Sequence, residues 1–451
     1  MKRLCGWAAA IRPRRAMHVA VALVVVLAAA RAGAEAENSG GYRGPGRNGI
    51  LPAKGLLKQW PEGGPPLAWE TQVGRGWTAA TVADGRVFFC GQEGEGTDGA
   101  MVAFDLNGKQ LWRTVYGPDK YRPRATPAVS EGAVYYHSTV GVVYAFDAAS
   151  GKVKWSFDAN SLGDTLITSG GNSGSPLVMG GRVVITLRSP GGEVPGGNEV
   201  PSFVAVDTRT GRLAWKGNLG PCPVKGKGWS SFHASPIPLQ AGRTPLVVCQ
   251  FFRCAAAVRA DTGERFWLEE NGVKGRARGQ VQPVANEGYL FVFGTRMLKV
   301  APDGSLKELW EGKVRVAEYN ISYSHTIIKD GRLISFTPAG AVNPTAPGKL
   351  RMLDAETGEE VASLDCAAKG SLVWADGRIY LLDNRPGMVL IEVTKDALRE
   401  VSSFRPPLNK YATGSGVQLF TLPIVAEGRL FLRDQSRVLV YDVRAPAGGG
   451  P

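Results

Sequence analysis

Short apolar runs alternate with tight polar turns along most of the chain, and they recur as hairpins of one kind. Each hairpin has an apolar pair, a turn ending in Gly and an alternating strand, as in PAVSEGAVYY from Pro127. Asp, Glu or Asn before Gly suits such a turn because its two central residues require positive φ. Eight copies of this inner hairpin begin at Thr81, Pro127, Pro176, Ser235, Pro283, Thr326, Leu372 and Pro423.

A second, outer hairpin follows each inner one and is clearest in VYAFDAASGKVKW, which ends at Trp155. Seven outer hairpins are complete, and the last, VLVYDV from Val438, stops after one strand. The lone strand PPLAWETQ, Pro65 to Gln72, can supply the missing strand. A four-stranded repeat of about 43 to 60 residues is typical of β-propellers. We therefore expect an all-β, eight-bladed β-propeller of four-stranded antiparallel blades over residues 65–445, closed by an N-terminal strand.

Tryptophan recurs at the end of the outer hairpins, which points to a role in the scaffold. A Trp in the outermost strand can lie over the turn of the neighbouring blade and donate its indole N–H to that turn. A residue repeated with the blades is more often structural than functional. We expect this docking role for Trp69, Trp112, Trp155, Trp215, Trp267 and Trp310.

The N-terminus has the features of an export signal. Arginines precede an apolar run from Val19 to Ala30, and Ala32-Gly33-Ala34 supplies the small residues that a signal peptidase needs. We expect residues 1–34 to be a signal peptide, although an uncleaved anchor is the alternative. The mature protein would then be periplasmic or secreted, with no transmembrane helix. Residues 35–64 are expected to be an N-terminal extension, disordered as far as Gly41, and residues 446–451 a disordered tail.

Charge and cysteine content limit the possible partners. The formal net charge of +13 becomes +7 without the six basic residues of the signal, which is too weak to indicate nucleic acid. We expect a monomer. Cys249 and Cys254 flank a four-residue link at a hairpin, where they can face each other as a disulfide in an oxidising compartment. Two buried thiols are the alternative.

The motif A-x-D-x-x-T/S-G-x-x-x-W, seen from Ala145 to Trp155 and from Ala205 to Trp215, resembles the docking repeat of pyrroloquinoline quinone (PQQ) propellers. The stretch YRGPGRNGILPAKGLLKQWPEGGPPLAWE, Tyr42 to Glu70, is similar to the start of secreted PQQ-like repeat proteins of planctomycete-type bacteria, which are described as similar to BamB. The resemblance implies a binding or scaffolding propeller in one branch of the family. In the other branch it implies a dehydrogenase that holds PQQ over a Trp and Ca²⁺ by Glu, Asn and Asp.

Several marks of the dehydrogenases are missing from this sequence. It has no adjacent cysteine pair and no C-x-x-C-H haem site, and its residues cannot be matched to the Ca²⁺ ligands or the catalytic base. We therefore expect no cofactor, with PQQ and calcium as the alternative. The histidines lack neighbouring ligands at metal-site spacing, so we expect no metal site and no catalytic residues.

The segments that lead into the innermost strands contain many basic and aromatic residues. If they converge on one face, they form a funnel whose arginines can bind carboxylate or sulfate oxygens in pairs. Solvated loop charges are the alternative interpretation. The candidate ligand-binding residues are Arg122, Arg124, His233, Arg276, Arg278 and Tyr323.

These observations favour a non-catalytic scaffold that binds a protein, an anionic small molecule or a glycan at the basic rim. The first alternative is a PQQ- and calcium-dependent dehydrogenase that oxidises alcohols or sugars. The second is a carbohydrate-binding accessory protein, suggested by the basic, aromatic rim. One propeller fold supports many activities, so the fold alone does not choose among these functions.

Overall fold

The turn between the first two strands of a blade follows from its acidic residue and its glycine. In six blades an Asp or Glu and the Gly after it both have positive φ, as in Glu131 at 49° and Gly132 at 71°. Two positive φ values in succession define the type I′ turn, whose twist matches that of the flanking strands. The tight inner hairpins predicted from the sequence are therefore confirmed.

The computed structural model describes residues 38–446, apart from 95, 164–171, 173, 189–199, 222–233, 252–253, 271–281, 314–324, 339–346, 368–369, 384–386, 409–411, 414–415 and 418–420. The predicted signal peptide lies outside the described residues, as does nearly all of the predicted tail. Both boundaries therefore stay predictions.

The described residues form 35 strands and a short 3-10 helix, Ala159–Leu162. Two strands precede the first blade: β1 (Ile50–Leu51) and β2 (Leu67–Gln72). Blade 1 contains β3 (Thr81–Ala83), β4 (Arg86–Gln92), β5 (Asp98–Asp105) and β6 (Gln110–Pro118), and blade 2 contains β7 (Ala128–Ser130), β8 (Ala133–His137), β9 (Val142–Asp147) and β10 (Val153–Asp158). Blade 3 contains β11 (Leu177–Met179), β12 (Arg182–Thr186), β13 (Phe203–Asp207) and β14 (Leu213–Gly217). Blade 4 contains β15 (Ile237–Ala241), β16 (Thr244–Phe251), β17 (Cys254–Arg259) and β18 (Arg265–Glu270).

Blades 5 to 8 continue the same order, with a small hairpin before the last blade. Blade 5 contains β19 (Val284–Asn286), β20 (Tyr289–Val292), β21 (Arg296–Val300) and β22 (Leu306–Glu311), and blade 6 contains β23 (Ile327–Lys329), β24 (Arg332–Pro338), β25 (Pro347–Asp354) and β26 (Glu360–Ala367). Blade 7 contains β27 (Gly370–Ala375), β28 (Arg378–Asp383), β29 (Gly387–Val393) and β30 (Leu398–Phe404), and the small hairpin consists of β31 (Ala412–Thr413) and β32 (Gly416–Val417). Blade 8 contains β33 (Ile424–Ala426), β34 (Arg429–Asp434) and β35 (Arg437–Asp442).

The N-terminal strand β2 completes the last blade, as the sequence predicts. It pairs antiparallel with β35, with Trp69 opposite Val440, so blade 8 joins the two ends of the propeller chain. Pairing of this kind removes the open sheet edge that an incomplete blade would leave. The all-β, eight-bladed propeller is thus confirmed, together with its closure.

The hydrophobic core consists of clusters that each join neighbouring blades. Phe88 of blade 1 and Tyr136 of blade 2 lie in one cluster, and Phe203 of blade 3 and Phe251 of blade 4 lie in another. Further clusters link the remaining neighbours around the ring. Burial between the blades therefore holds the ring together, because each blade covers an apolar face of the next.

Five of the six predicted docking tryptophans donate their indole N–H to a carbonyl in the next blade's outer turn. The donor–acceptor distances are 2.9–3.1 Å, from Trp69, Trp112, Trp155, Trp215 and Trp310 to Leu106, Ala148, Thr208, Ala260 and Ala355. A glycine lies under each ring: a Cβ on Gly211, for example, would fall 2.7 Å from the indole of Trp155. Gly is needed there both for positive φ and for this close approach.

Trp267 is an exception and corrects the prediction. Its Nε1 is buried without a hydrogen-bond partner. Phe266, the preceding residue, covers the turn of blade 5 instead, and a Cβ on Gly304 would fall 2.5 Å from its ring. The indole of Trp267 therefore does not dock through its N–H, because the phenyl ring of Phe266 occupies the space above that glycine.

The possible disulfide between Cys249 and Cys254 is not formed. Strand register places Cys249 opposite Ala256 and Cys254 opposite Phe251, so the two side chains do not face each other across the hairpin. Both residues are buried thiols, which was the alternative expectation. Burial raises the pKa of the Cys249 thiol.

Candidate functional site

Residues 39–51, called the channel segment below, lie against the innermost strands of the blades. The backbone N–H of Val129 donates to Gly40 at 3.1 Å, and that of Trp374 donates to Gly49 at 2.8 Å. Ser39 donates its own N–H to Val82 at 2.9 Å. The inner edges of propeller blades line the central channel. The chain's own N-terminal extension therefore occupies the described part of this channel, and the disorder expected up to Gly41 is wrong for Ser39 onwards.

Two arginines of the channel segment are buried among backbone carbonyls. Arg47 donates from Nη1 to Ser175 and Pro236, both at 3.0 Å, and from Nη2 to Pro176. Arg43 donates from Nη2 to Asn48 at 3.2 Å and to Thr326. Arg47 thus joins the segment to blades 3 and 4, and Arg43 joins it to blade 6. Burial lowers the pKa of Arg43 to about 10 and that of Arg47 to about 9, so both are charged at neutral pH.

The glycines of the channel segment are required by this packing. Gly49 has φ of 84°, and a Cβ there would fall 2.9 Å from Nη2 of Arg43. A Cβ on Gly41 would fall 3.2 Å from the carbonyl oxygen of Pro127. Parallel pairing of β1 with β27 then places Ile50 opposite Trp374 and continues the segment along blade 7. The Gly- and Arg-rich composition of this stretch is the sequence signal that could have revealed its position.

At the rim, the structure brings two of the candidate binding residues onto one tryptophan. The guanidinium carbon of Arg124 lies 4.4 Å from the ring centroid of Trp77, and that of Arg122 lies 5.8 Å from it. These are cation–π distances, and the three side chains are all half-buried. The other candidates, His233, Arg276, Arg278 and Tyr323, lie outside the described residues. The full funnel therefore stays a prediction.

A buried carboxylate anchors the loop that carries these arginines, and the sequence did not indicate it. Asp119 Oδ2 accepts hydrogen bonds from the hydroxyls of Tyr116 and Tyr136, both at 2.7 Å. Its Oδ1 accepts from the backbone N–H of Thr139 at 2.8 Å and from the Thr139 hydroxyl. Burial raises the pKa of Asp119, although these hydrogen bonds oppose the shift. Four donors from two blades thus fix the start of the rim loop.

Arg433 joins blade 8 to blade 1 beneath the same rim. It is 3% exposed and donates to the carbonyls of Gly74 at 2.9 Å and Cys90 at 2.8 Å, and to Thr78. Burial lowers its pKa to about 10. As in the channel segment, a buried guanidinium here donates hydrogen bonds to several backbone carbonyls.

The described part of the channel does not fit a PQQ–calcium pair. Its interior is occupied by the channel segment, whose charged groups there, Arg43 and Arg47, are cations that would repel Ca²⁺. Among the described residues, no three His, Cys, Asp or Glu side chains are grouped so as to hold a metal ion. The described residues also include no helix long and apolar enough to cross a membrane.

Known proteins resemble this chain in sequence over part of its length. Residues 61–232 match the family model described as outer membrane protein assembly factor BamB. The outer membrane protein assembly factor BamB of Burkholderia pseudomallei is 26% identical over 148 residues, which is 33% of this chain and 33% of that protein. The matched stretch thus spans about a third of the relative's length.

Solved structures resemble the chain over most of its length. BamB from Moraxella catarrhalis superposes with a TM-score of 0.54 at 13% identity, covering 85% of this chain and 100% of that one. A quinohemoprotein alcohol dehydrogenase from Pseudomonas putida gives a TM-score of 0.60 at 15% identity, covering 95% and 83%. At such identities the likeness shows the fold alone. The chain is therefore an eight-bladed propeller whose resemblance to the PQQ-like repeat proteins, and to BamB among them, is confirmed.

Proposed function

We propose that the protein is a non-catalytic scaffold that binds another protein. The name of its relative BamB, outer membrane protein assembly factor, suggests such a role. The observation that carries this proposal is the channel segment. A cofactor in a propeller needs a concave site with convergent polar groups. Here the described channel is filled by Tyr42 to Leu51, and the arginines in it already donate to protein carbonyls. Binding is then left to the outer surfaces of the propeller.

The rim around Trp77 is the surface that we propose for the partner. Arg122 and Arg124 lie over its indole, and the exposed Lys120 lies next in the same loop. Arginine and aromatic side chains are enriched at the energetic centres of protein interfaces. A partner that presents carboxylates, or an anionic glycan, would complement this charge.

We propose further that the protein acts outside the cytoplasm, in the periplasm or as a secreted protein. The apolar run from Val19 to Ala30 and the small residues after it support export. The name of the BamB relative, outer membrane protein assembly factor, also supports a role outside the cytoplasm.

Reconstitution separates the scaffold from the dehydrogenase. The purified full chain is titrated with PQQ in the presence of Ca²⁺ while absorbance and dye-linked alcohol or sugar oxidation are followed. We expect neither saturable binding nor oxidation, because the channel segment fills the described part of the channel. Saturable binding with turnover would overturn the proposal.

Site-specific photo-crosslinking in intact cells tests the rim directly. A photoreactive residue replaces Arg124, and a matched control replaces Glu308, which is 51% exposed on the outer strand of blade 5. We expect a discrete protein adduct from position 124 and none from position 308. The same adduct from both positions would show that the rim is not the binding surface.

A further inference from the structure

The channel segment places two positive charges in the protein interior, and no carboxylate among the described residues lies beside them. Arg43 is fully buried and Arg47 is 4% exposed. The ionisable groups that influence them are Tyr42 and Cys249, both neutral because burial raises their pKa values. A buried charge is costly unless it is paired and hydrogen-bonded. Arg47 is partly compensated, because three carbonyl oxygens accept its hydrogen bonds.

Arg43 is compensated on one side only. Both of its acceptors, Asn48 and Thr326, bond to Nη2. Its Nε and Nη1 are buried and have no hydrogen-bond partner, so three N–H groups of a charged guanidinium are unsatisfied. Buried donors of a charged group carry a large desolvation penalty when they lack an acceptor.

A further unsatisfied donor lies close by on His325, the residue before Thr326. Tyr42 and the Nε2 of His325 are 3.3 Å apart, and a hydroxyl that donates to Nε2 leaves the ring proton on Nδ1. This Nδ1 is also buried without a partner. Burial and the charge of Arg43 lower the pKa of His325 well below its ordinary value, so the ring is neutral and Nδ1 is a simple N–H donor.

We propose that this place in the channel is an anion site, and that it takes a small inorganic anion of the halide class between Arg43 and His325. A water molecule would accept hydrogen bonds but would leave the charge of Arg43 uncompensated, whereas an anion satisfies both requirements. Burial favours a small ion, since Arg43 is fully buried and His325 is 3% exposed, so an ion between them is enclosed by protein. The site goes beyond the scaffold function and does not depend on it.

If chloride binds at this site, it stabilises the channel segment in its position in the channel. An ion that binds only the folded chain stabilises it, and above its Kd each tenfold rise in concentration multiplies the folding equilibrium constant by about ten. Thermal unfolding is therefore measured across a chloride series, with gluconate keeping the ionic strength constant. We expect the midpoint to rise with chloride for the wild type and to be flat for R43Q.

Arg433→Lys is the matched control, because Arg433 is likewise buried among carbonyls but lies at the rim, outside the channel segment. We expect the R433K substitution to lower the unfolding midpoint at every chloride concentration, while the dependence of that midpoint on chloride stays as in the wild type. Equal chloride dependence in wild type and R43Q would overturn the site, as would a wild type whose midpoint is independent of chloride.

Anomalous diffraction from wild-type crystals grown in bromide locates the ion without any variant, in case R43Q does not fold. We expect a bromide peak within hydrogen-bonding distance of Arg43 Nη1. Density for water there, or a bromide peak without any chloride dependence in solution, which would mark an adventitious ion only, would contradict the proposal.

Discussion

Replacing Trp215 by Phe, with Trp267→Phe as its partner, tests how the blades are joined. The two tryptophans lie at the same register position, opposite Ala205 and Ala257, in consecutive blades. Trp215 donates to Ala260 at 3.1 Å and covers Gly263, whereas Nε1 of Trp267 has no partner. Both substitutions remove the same part of the indole, but Trp215 is buried and Trp267 is half-buried, so loss of ring burial also contributes to the difference.

The docking hydrogen bond is the larger part of the difference between the two variants. Losing that bond costs about 1 kcal/mol, and the carbonyl of Ala260 left without its donor adds roughly as much again. Removing the unsatisfied N–H of Trp267 relieves a desolvation penalty instead. We expect W215F to lower the free energy of unfolding by about 2 kcal/mol more than W267F does.

Urea unfolding followed by circular dichroism gives both free energies, provided that the slope with denaturant is unchanged between the variants. Double substitution checks that the two sites are independent. Equal losses from W215F and W267F, or a larger loss from W267F, would refute the role assigned to the indole N–H.

Three further predictions concern buried polar groups. Burial lowers the pKa of His137 from 6.5 to about 4, so the folded state binds fewer protons; stability should fall from pH 6.5 downwards, by about 3 kcal/mol at pH 4, and H137Q should remove this part of the pH dependence in unfolding titrations. D119N should lower the free energy of unfolding by about 1–3 kcal/mol, because the single oxygen of an amide cannot accept hydrogen bonds from both tyrosines and from Thr139. Hydrogen exchange of the backbone amides should also become faster across the loop from Lys120 to Arg124. Unchanged hydrogen exchange would show that Asp119 does not fix the rim loop. Cys90 and Cys249, buried with raised pKa values, should react with a thiol reagent only after denaturation; rapid reaction in the native state would contradict their burial.

The sequence was sufficient to predict the ring of blades because the same pattern of strand and turn residues recurs in each blade. Turn residues such as Asp84-Gly85 set the inner hairpins, and the missing strand beside Val438 required a partner from the N-terminus. The hairpin signal acts over a few residues and recurs in eight copies, whereas the missing strand is a single gap that only a strand from elsewhere in the chain can fill. Errors in one copy therefore do not change the blade count.

The parts that the sequence did not predict depend on contacts between distant residues. Arg47 binds carbonyls more than 120 positions away in the chain, and no local pattern reveals such acceptors. The choice of Phe266 over Trp267 depends on the shape of the space above Gly304. For Cys249 and Cys254 the error was one of register, because a hairpin pairs residues by position and not by type.

Native-state hydrogen exchange at two backbone amides tests most directly whether the chain's own N-terminal extension fills the channel. Val129 and Trp374 lie on innermost strands and donate to Gly40 and Gly49. We predict that both amides exchange slowly, as core strands do, and that both become fast when residues 38–51 are deleted while the strands between them stay protected. Fast exchange of both amides in the intact protein would show that the channel segment is not seated there.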